Sequence, residues 1–242
     1  MSNRLIDLFH VEDCRAHKKR SLTMARLERS YLPHKLPCSQ KHPRCRVQSI
    51  YPPVKMHGEK ELMEIYTQHL VLRDLRESDY PAIREFESML ETHHFEKVNV
   101  PDEKATRDEL EAALNWAKEN PRTHYKLGVT LLPDDIVRGR VSLSLGNAES
   151  NQWEIGWVIR PEYWSQGIAS EAAEATLSFA FSQLHARRVV AYCNALNTAS
   201  YRVMEKIGMT RESLRKGARW WNGAWVDEYV YTVQDKDWKR NE

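Results

Sequence analysis

The order of predicted elements across residues 152–209 constrains the fold more than any other feature of the chain. A strand, a short loop, a long helix, a buried strand and a second helix follow one another. Apolar residues alternate in the first strand (Trp153, Ile155, Trp157 and Ile159), and residues 189–194 form a short, almost wholly apolar run. Two parallel strands need a crossover connection, usually a helix, so we expect an α/β fold in which these strands are parallel neighbours.

The loop before the long helix has the composition of an anion site. In Pro161-Glu-Tyr-Trp-Ser-Gln-Gly-Ile-Ala169, one glycine and small residues let a ligand approach the backbone. Unpaired N–H groups at the helix start would point at that ligand. The pattern suits a pyrophosphate bound without lysine, whereas a plain turn is the alternative. It is neither a nucleotide P-loop nor a dinucleotide fingerprint.

The remaining elements complete one domain. We expect strands at residues 69–73, 125–130, 136–145, 210–216 and 225–233, and helices after Ser78 and Pro101. Asn197 is expected to cap the helix that follows the buried strand, and Gly208 to stop it. Asn222-Gly223 predicts a hairpin between the last two strands.

The N-terminal segment differs in composition from the rest. Residues 14–47 carry ten Lys/Arg and one acidic residue, Glu28. We interpret residues 1–60 as a basic, partly disordered extension and residues 61–242 as the catalytic domain. The basic extension also suggests contact with RNA or the ribosome. His34, Cys38, His42 and Cys45 lie close together, but they match no familiar zinc spacing, so we favour a linker over a metal site.

No apolar run approaches the length of a membrane span, and the N-terminus lacks the apolar stretch of a signal peptide. We therefore expect a cytoplasmic protein without membrane contact, as a monomer or homodimer. Four cysteines in 242 residues do not indicate a disulfide framework.

Three motifs resemble those of the GNAT acetyltransferases. They are Glu154-Ile-Gly-Trp-Val-Ile-Arg-Pro-Glu-Tyr-Trp-Ser-Gln-Gly-Ile-Ala-Ser-Glu-Ala172, Asn197-Thr-Ala-Ser200 and Glu205-Lys-Ile-Gly-Met209. The nearest branch is that of the ribosomal-protein N-terminal (alanine/serine) acetyltransferases, whose tail resembles Asn222-Gly-Ala-Trp-Val-Asp227. The resemblance covers residues 67–238. It implies a GNAT fold: a mixed sheet of about six to seven strands, flanked by helices, with a central parallel pair splayed for CoA.

The resemblance also implies where acetyl-CoA binds. The pyrophosphate would lie on the backbone of six consecutive residues: Trp164, Ser165, Gln166, Gly167, Ile168 and Ala169. Val158 and Ile159 would pair with the pantetheine arm, and Asn197 would contact the ligand near its thiol end. Trp164 replaces the family's usual Gln or Arg and Ser165 replaces its glycine, so contact with phosphate is expected to come mainly from the backbone.

Catalytic roles follow partly from the resemblance and partly from chemistry. In many family members a tyrosine seven residues after the motif Asn is the general acid, but this chain has Met204 there. Ser200 is the candidate acid by analogy, with close packing as the alternative. Glu154, a carboxylate in an otherwise apolar strand, is the candidate base, with a surface role as the alternative. A bulge at Gly156 would free an N–H for the oxyanion.

We therefore expect an acetyl-CoA-dependent N-acetyltransferase acting on a primary amine, such as a protein N-terminal α-amine, without a metal. Acetyl transfer to a small amine or amino sugar is one alternative, and a non-catalytic acyl-CoA-binding regulatory module is another. Five residues are candidates for the acceptor site, although surface or dimer contacts would also explain them: His93, His94, Arg219, Trp220 and Trp221.

Overall fold

The computed structural model describes residues 62–95 and 100–238. Its strands are β1 (Glu64–Tyr66), β2 (Leu70–Asp74), β3 (His124–Leu131), β4 (Val137–Asn147), β5 (Gln152–Ile159), β6 (Arg188–Asn194), β7 (Thr210–Trp221) and β8 (Ala224–Gln234). Its α-helices are α1 (Tyr80–Glu87), α2 (Glu103–Trp116), α3 (Ile168–Ser182) and α4 (Thr198–Lys206). The strands form one mixed sheet in the order β1-β2-β3-β4-β5-β6-β8-β7.

The sheet has eight strands, one more than the upper expectation. The additional strand is β1, which pairs antiparallel with β2. Met63, just before β1, is buried, and its N–H donates to the Asp74 carboxylate at 2.9 Å. The domain core therefore begins before residue 69, where the sequence pattern places the first strand. A three-residue strand carries too little periodicity to be recognised, and its pairing with β2 defines it.

The remaining helices and strands confirm the pattern read from the sequence. Asp102 caps α2, because its carboxylate accepts the Ala105 N–H at 2.7 Å, and Asn197 caps α4. Gly208 follows α4 with φ +86°, and the hairpin residues Asn222 and Gly223 have φ +47° and +80°. The expected bounds differ from the observed ones by a few residues, most in β7, which extends to Trp221.

The parallel strands β5 and β6 separate where the site lies. They pair only from Gln152 with Arg188 to Glu154 with Val190. Beyond that point β5 pairs only with β4, and β6 only with β8. A gap therefore opens between the carboxyl ends of β5 and β6. Helix α3 packs over one face of the sheet, and α1 and α2 pack against the other.

Two sequence-based hypotheses lie outside the described residues. These are the basic extension of residues 1–60, with its suggested RNA or ribosome contact, and the group of His34, Cys38, His42 and Cys45. Among the described residues, no helix is long and apolar enough to cross a membrane. Within the same ranges, no three His, Cys, Asp or Glu side chains are grouped as metal ligands.

Candidate active site

The loop between β5 and α3 presents a row of unpaired backbone N–H groups. Ser165 has φ +60° and Gly167 has φ +85°, so the chain turns twice through the left-handed region. The N–H groups of residues 165–169 have no hydrogen-bond partner among the described residues. Alternating turns of this kind direct successive N–H groups to one point, and α3 adds the positive end of its dipole. This geometry matches the anion binding expected of the loop.

The side chain of Glu171 fixes the start of α3. Its carboxylate accepts hydrogen bonds from the Thr67 hydroxyl at 2.6 Å and from the His69 N–H at 2.9 Å. The His69 ring lies 3.0 Å from the second carboxylate oxygen. A glutamate in the first turn of a helix also interacts favourably with the helix dipole. These bonds anchor the N-terminal end of α3 to the segment before β2.

The register of β5 decides which backbone groups face the gap. The Arg160 N–H donates to the carbonyl of Arg138, in β4, at 2.9 Å. Along an antiparallel pair, the backbone N–H and C=O groups of successive residues point alternately toward the partner strand and away from it. The backbone groups of Val158 therefore face β4, and those of Trp157 and Ile159 face the gap. Of the two residues expected to pair with a pantetheine arm, only Ile159 turns its backbone groups toward it.

The bulge expected at Gly156 is absent, and this expectation was wrong. The β4–β5 register passes from Ile155 through Gly156 to Trp157 without a shift. By the same alternation, the Gly156 N–H faces Ser142 of β4. The gap arises instead because the pairing of β5 with β6 ends at Glu154 and Val190. The Trp157 N–H, rather than that of Gly156, is directed into the gap.

Asn197 and Ser200 lie at the start of α4, the helix that follows β6. The Asn197 side-chain oxygen accepts the Ser200 N–H at 3.0 Å, so the amide NH₂ of Asn197 is not used in capping the helix. Ser200 is half-buried in the first turn of α4. Met204, one turn further, is buried in the core and has no proton to donate. The structure thus brings Asn197 and Ser200 together at one helix end.

The carboxyl group of Glu154 lies in an environment that favours its protonated form. Glu154 reaches solvent, but partial burial of its carboxyl group raises its pKa above the ordinary value. Repulsion from Glu228 raises this pKa further, whereas attraction to Arg219 opposes the shift. Glu228 itself is buried and accepts hydrogen bonds from Arg215 at 3.0 Å and from Arg219 at 2.8 Å. The two arginines therefore neutralise the charge of Glu228 more than that of Glu154.

Comparison with known proteins identifies the family. The model of the acetyltransferase (GNAT) domain matches residues 69–210. The chain belongs to the GNAT acetyltransferase family. It is 33% identical to the uncharacterized N-acetyltransferase YnaD of Bacillus subtilis, over 73% of this chain and 99% of that protein.

Solved structures support the same assignment. A GNAT-family acetyltransferase from Bacillus anthracis matches with a TM-score of 0.64 and 33% identity, over 72% of this chain and 99% of that chain. The ribosomal α-N-protein acetyltransferase RimL, in complex with coenzyme A, matches with a TM-score of 0.63 and 20% identity. That match covers 69% of this chain and 95% of RimL. At 20% identity, the match to RimL shows that the two chains share a fold.

The candidate acceptor residues of this acetyltransferase separate into two groups. Arg219, Trp220 and Trp221 lie on the β7–β8 hairpin, and Trp221 is bonded to the His94 carbonyl at 2.6 Å. His93 is instead buried, and its Nε2 atom lies 3.0 Å from the Glu87 carboxylate. The expectation that His93 lines an open site was therefore wrong, because its ring is buried against Glu87.

Two polar residues near the gap were missed in the sequence. Glu228 lies on β8 opposite Asn194 of β6, and both are buried. Asn194 accepts the Leu196 N–H at 3.0 Å through its side-chain oxygen, and its side-chain nitrogen has no hydrogen-bond partner among the residues that the structure describes. Glu228 directly follows Asp227 in β8 and Asn194 is the last residue of β6, and both positions equally fit the surface in sequence. A buried polar residue is recognised only when its cross-strand neighbours are known.

Proposed function

We propose that this enzyme transfers the acetyl group of acetyl-CoA to a primary amine, and that the acceptor is the α-amine of a protein N-terminus. The observation that carries the first part is the row of unpaired N–H groups at residues 165–169, located where β5 and β6 separate. RimL, which shares this fold, has been solved with coenzyme A. The acceptor is supported by the chemistry of the site.

The described residues offer contacts for both the pyrophosphate and the pantetheine arm of CoA. The backbone N–H groups of Ser165, Gln166, Gly167, Ile168 and Ala169 would hold the pyrophosphate, as anions are held at helix N-termini. The Trp164 N–H, also expected there, is instead bonded to the Pro161 carbonyl at 3.1 Å. The N–H group of Ile159 would pair with an amide of the pantetheine arm. Asn197, whose amide NH₂ is not used in capping α4, would donate to a carbonyl oxygen near the thioester.

Glu154 would act as the general base, directly or through a water molecule. A primary ammonium must lose a proton before its nitrogen attacks the thioester carbonyl, and a carboxylate with a raised pKa is a better proton acceptor. An α-amine, with a pKa of about 7.7 to 8.0, is partly neutral near pH 7, whereas lysine, at about 10.4, is not. A site in which the proposed base is a carboxylate therefore favours the α-amine.

The departing sulfur would receive its proton from Ser200. A CoA thiol resembles cysteine, with a pKa of about 8.5, so its thiolate leaves with modest assistance near neutral pH. Attack forms the new C–N bond, and the C–S bond then breaks as the thiolate takes the Ser200 proton. The extra proton on the nitrogen passes to Ser200, so the products are the amide and the free thiol. The Trp157 N–H faces the gap and would donate to the carbonyl oxygen while it carries negative charge.

The test is release of thiol from acetyl-CoA in the presence of defined acceptors. One peptide has a free N-terminus and no lysine, and its matched control is the same peptide with an acetylated N-terminus and one internal lysine. We expect thiol release and a mass gain of one acetyl group with the first peptide only. Equal reaction of both peptides would contradict the α-amine proposal but leave acetyl transfer intact.

The alternative of a non-catalytic acyl-CoA-binding module rests on Met204, which replaces the usual tyrosine and is buried. It is distinguished by two measurements on one preparation. Calorimetry with CoA measures binding, and a panel of peptides, small amines and amino sugars measures turnover. Binding without thiol release from any acceptor would favour the module, and absence of both would reject the CoA site itself.

A further inference from the structure

The indole of Trp164 connects the anion-binding loop to the end of β5. Its Nε1–H donates to the Ile159 carbonyl oxygen at 2.5 Å. Ile159 is the last residue of β5, and its carbonyl faces the gap between β5 and β6. Trp164 retains 47% of its surface exposed, so the ring lies across the opening rather than in the core.

This bond joins two halves of one binding site. On one side of it the backbone of β5 faces the gap, and on the other side begin the unpaired N–H groups of residues 165–169. Between them the backbone makes only a short 3₁₀ turn at Pro161–Tyr163, with the Trp164 N–H donating to the Pro161 carbonyl at 3.1 Å. The position of the loop relative to the strand therefore depends strongly on the indole.

The loop has a physical reason to need such a connection. Ser165 is a residue with a side chain held at φ +60°, a conformation less favourable than the right-handed one for every residue but glycine. Several N–H dipoles also point in the same direction without an anion to accept them. A loop of this kind is expected to relax unless other contacts hold it, and ordering it again on binding would weaken affinity.

We propose that Trp164 is a positioning residue that holds the phosphate-binding loop in register with β5 through its indole N–H, in place of a polar side chain at the start of the loop. The inference rests on the proposed binding of CoA. It concerns the hydrogen bond rather than the aromatic ring. It also leaves the Ile159 carbonyl already bonded, so a pantetheine arm would pair with Ile159 through the N–H alone.

Two substitutions separate the donor from the ring. Trp164→Phe keeps an aromatic ring and removes the N–H, whereas Trp164→Gln removes the ring and keeps an N–H donor. Trp116→Phe is the matched control, because the Trp116 indole stacks on His124 and makes no hydrogen bond to a described residue. Calorimetry measures CoA affinity, and thiol release compares acetyl-CoA with acetyl-pantetheine, which lacks the pyrophosphate.

We expect Trp164→Phe to raise the Kd for CoA about five- to ten-fold, the effect of losing one hydrogen bond, and Trp164→Gln to raise it less. The preference for acetyl-CoA over acetyl-pantetheine in kcat/KM should fall by the same factor in Trp164→Phe, and Trp116→Phe should keep it. An unchanged preference, or a larger loss in Trp164→Gln than in Trp164→Phe, would overturn the inference. Failure of the wild-type protein to bind CoA would instead reject the proposed function.

Discussion

The indole N–H of Trp221 donates to the backbone carbonyl of His94 at 2.6 Å, although the two residues are 127 positions apart in the chain. This bond holds the tip of the β7–β8 hairpin against the segment that follows α1. The Phe95 ring stacks on the same indole with centroids 6.0 Å apart. The hairpin also carries Arg219, which interacts with Glu228 and, at longer range, with Glu154. The contact therefore borders the side of the site proposed for the acceptor.

Trp221→Phe should weaken acceptor binding more than CoA binding. The variant keeps the ring and loses one hydrogen bond, so we expect the acceptor KM to rise about three- to ten-fold. The KM for acetyl-CoA should change less, because the anion-binding loop lies elsewhere on the sheet. Trp225→Phe, at an exposed hairpin position, is the control. An increase confined to the KM for acetyl-CoA would show that the hairpin does not serve the acceptor.

Glu154→Gln should lower kcat/KM more at pH 7 than at pH 9. At pH 9 more of the acceptor amine is already neutral, so less help from a base is required. Equal loss at both pH values would show that Glu154 is not the base. Stability provides a check on folding: burial raises the pKa of Glu154, so the folded state favours the protonated form. Its ionisation above that pKa lowers stability, and the uncharged Gln variant should melt no lower than the wild type at pH 9.

Ser200→Ala should lower kcat and leave the affinity for CoA nearly unchanged. The backbone N–H of Ser200 donates to the Asn197 side chain, and this bond does not involve the serine hydroxyl. The N-terminal cap of α4 should therefore remain intact in the variant. Because the leaving thiolate is already stable, loss of this proton donor should lower kcat by about 10²-fold or less. Single-turnover thiol release measures the step directly. A fully active variant would show that the thiolate leaves without this hydroxyl.

Gly167→Val should reduce CoA affinity at least about ten-fold. Gly167 has φ +85°, which a β-branched residue adopts only with strain, and no atom lies within 4 Å of the position that a Cβ would take. The space is open to a ligand, so a side chain there would obstruct the approach of a phosphate. Calorimetry with CoA is the measurement. Gly223→Val, at another open glycine with φ +80°, controls for strain alone, and equal effects of both variants would contradict the prediction.

A chain that begins at Glu61 should fold cooperatively. Its first buried residues are Met63 and Ile65. Two hydrogen bonds join Met63 to Asp74: the Met63 N–H donates to the Asp74 carboxylate, and the Asp74 N–H donates to the Met63 carbonyl at 3.0 Å. We expect thermal unfolding by circular dichroism to show a single transition, as in the full chain. A chain that begins at Thr67 lacks β1 and should melt lower. An insoluble or non-cooperative product from Glu61 would refute the prediction.

Local patterns predicted most of the secondary structure. The apolar stripe of α3 and the alternation in β5 are repeated over many residues, so periodicity identifies them without knowledge of the fold. Asn197, Gly208 and the Asn222-Gly223 pair define element ends because their conformations depend on immediate neighbours. The same reasoning missed β1, whose three residues form a strand only through pairing with β2.

The sequence by itself therefore determined the order of the elements, the parallel crossover and the position of the anion-binding loop, because each depends on residues close together in the chain. Only the tertiary structure decided that Trp157 rather than Gly156 faces the gap, that His93 is buried beside Glu87, and that the Trp164 indole reaches Ile159. Strand register and long-range contacts decide these points. A backbone N–H points to one neighbouring strand or the other according to pairing, and residue type alone does not specify which.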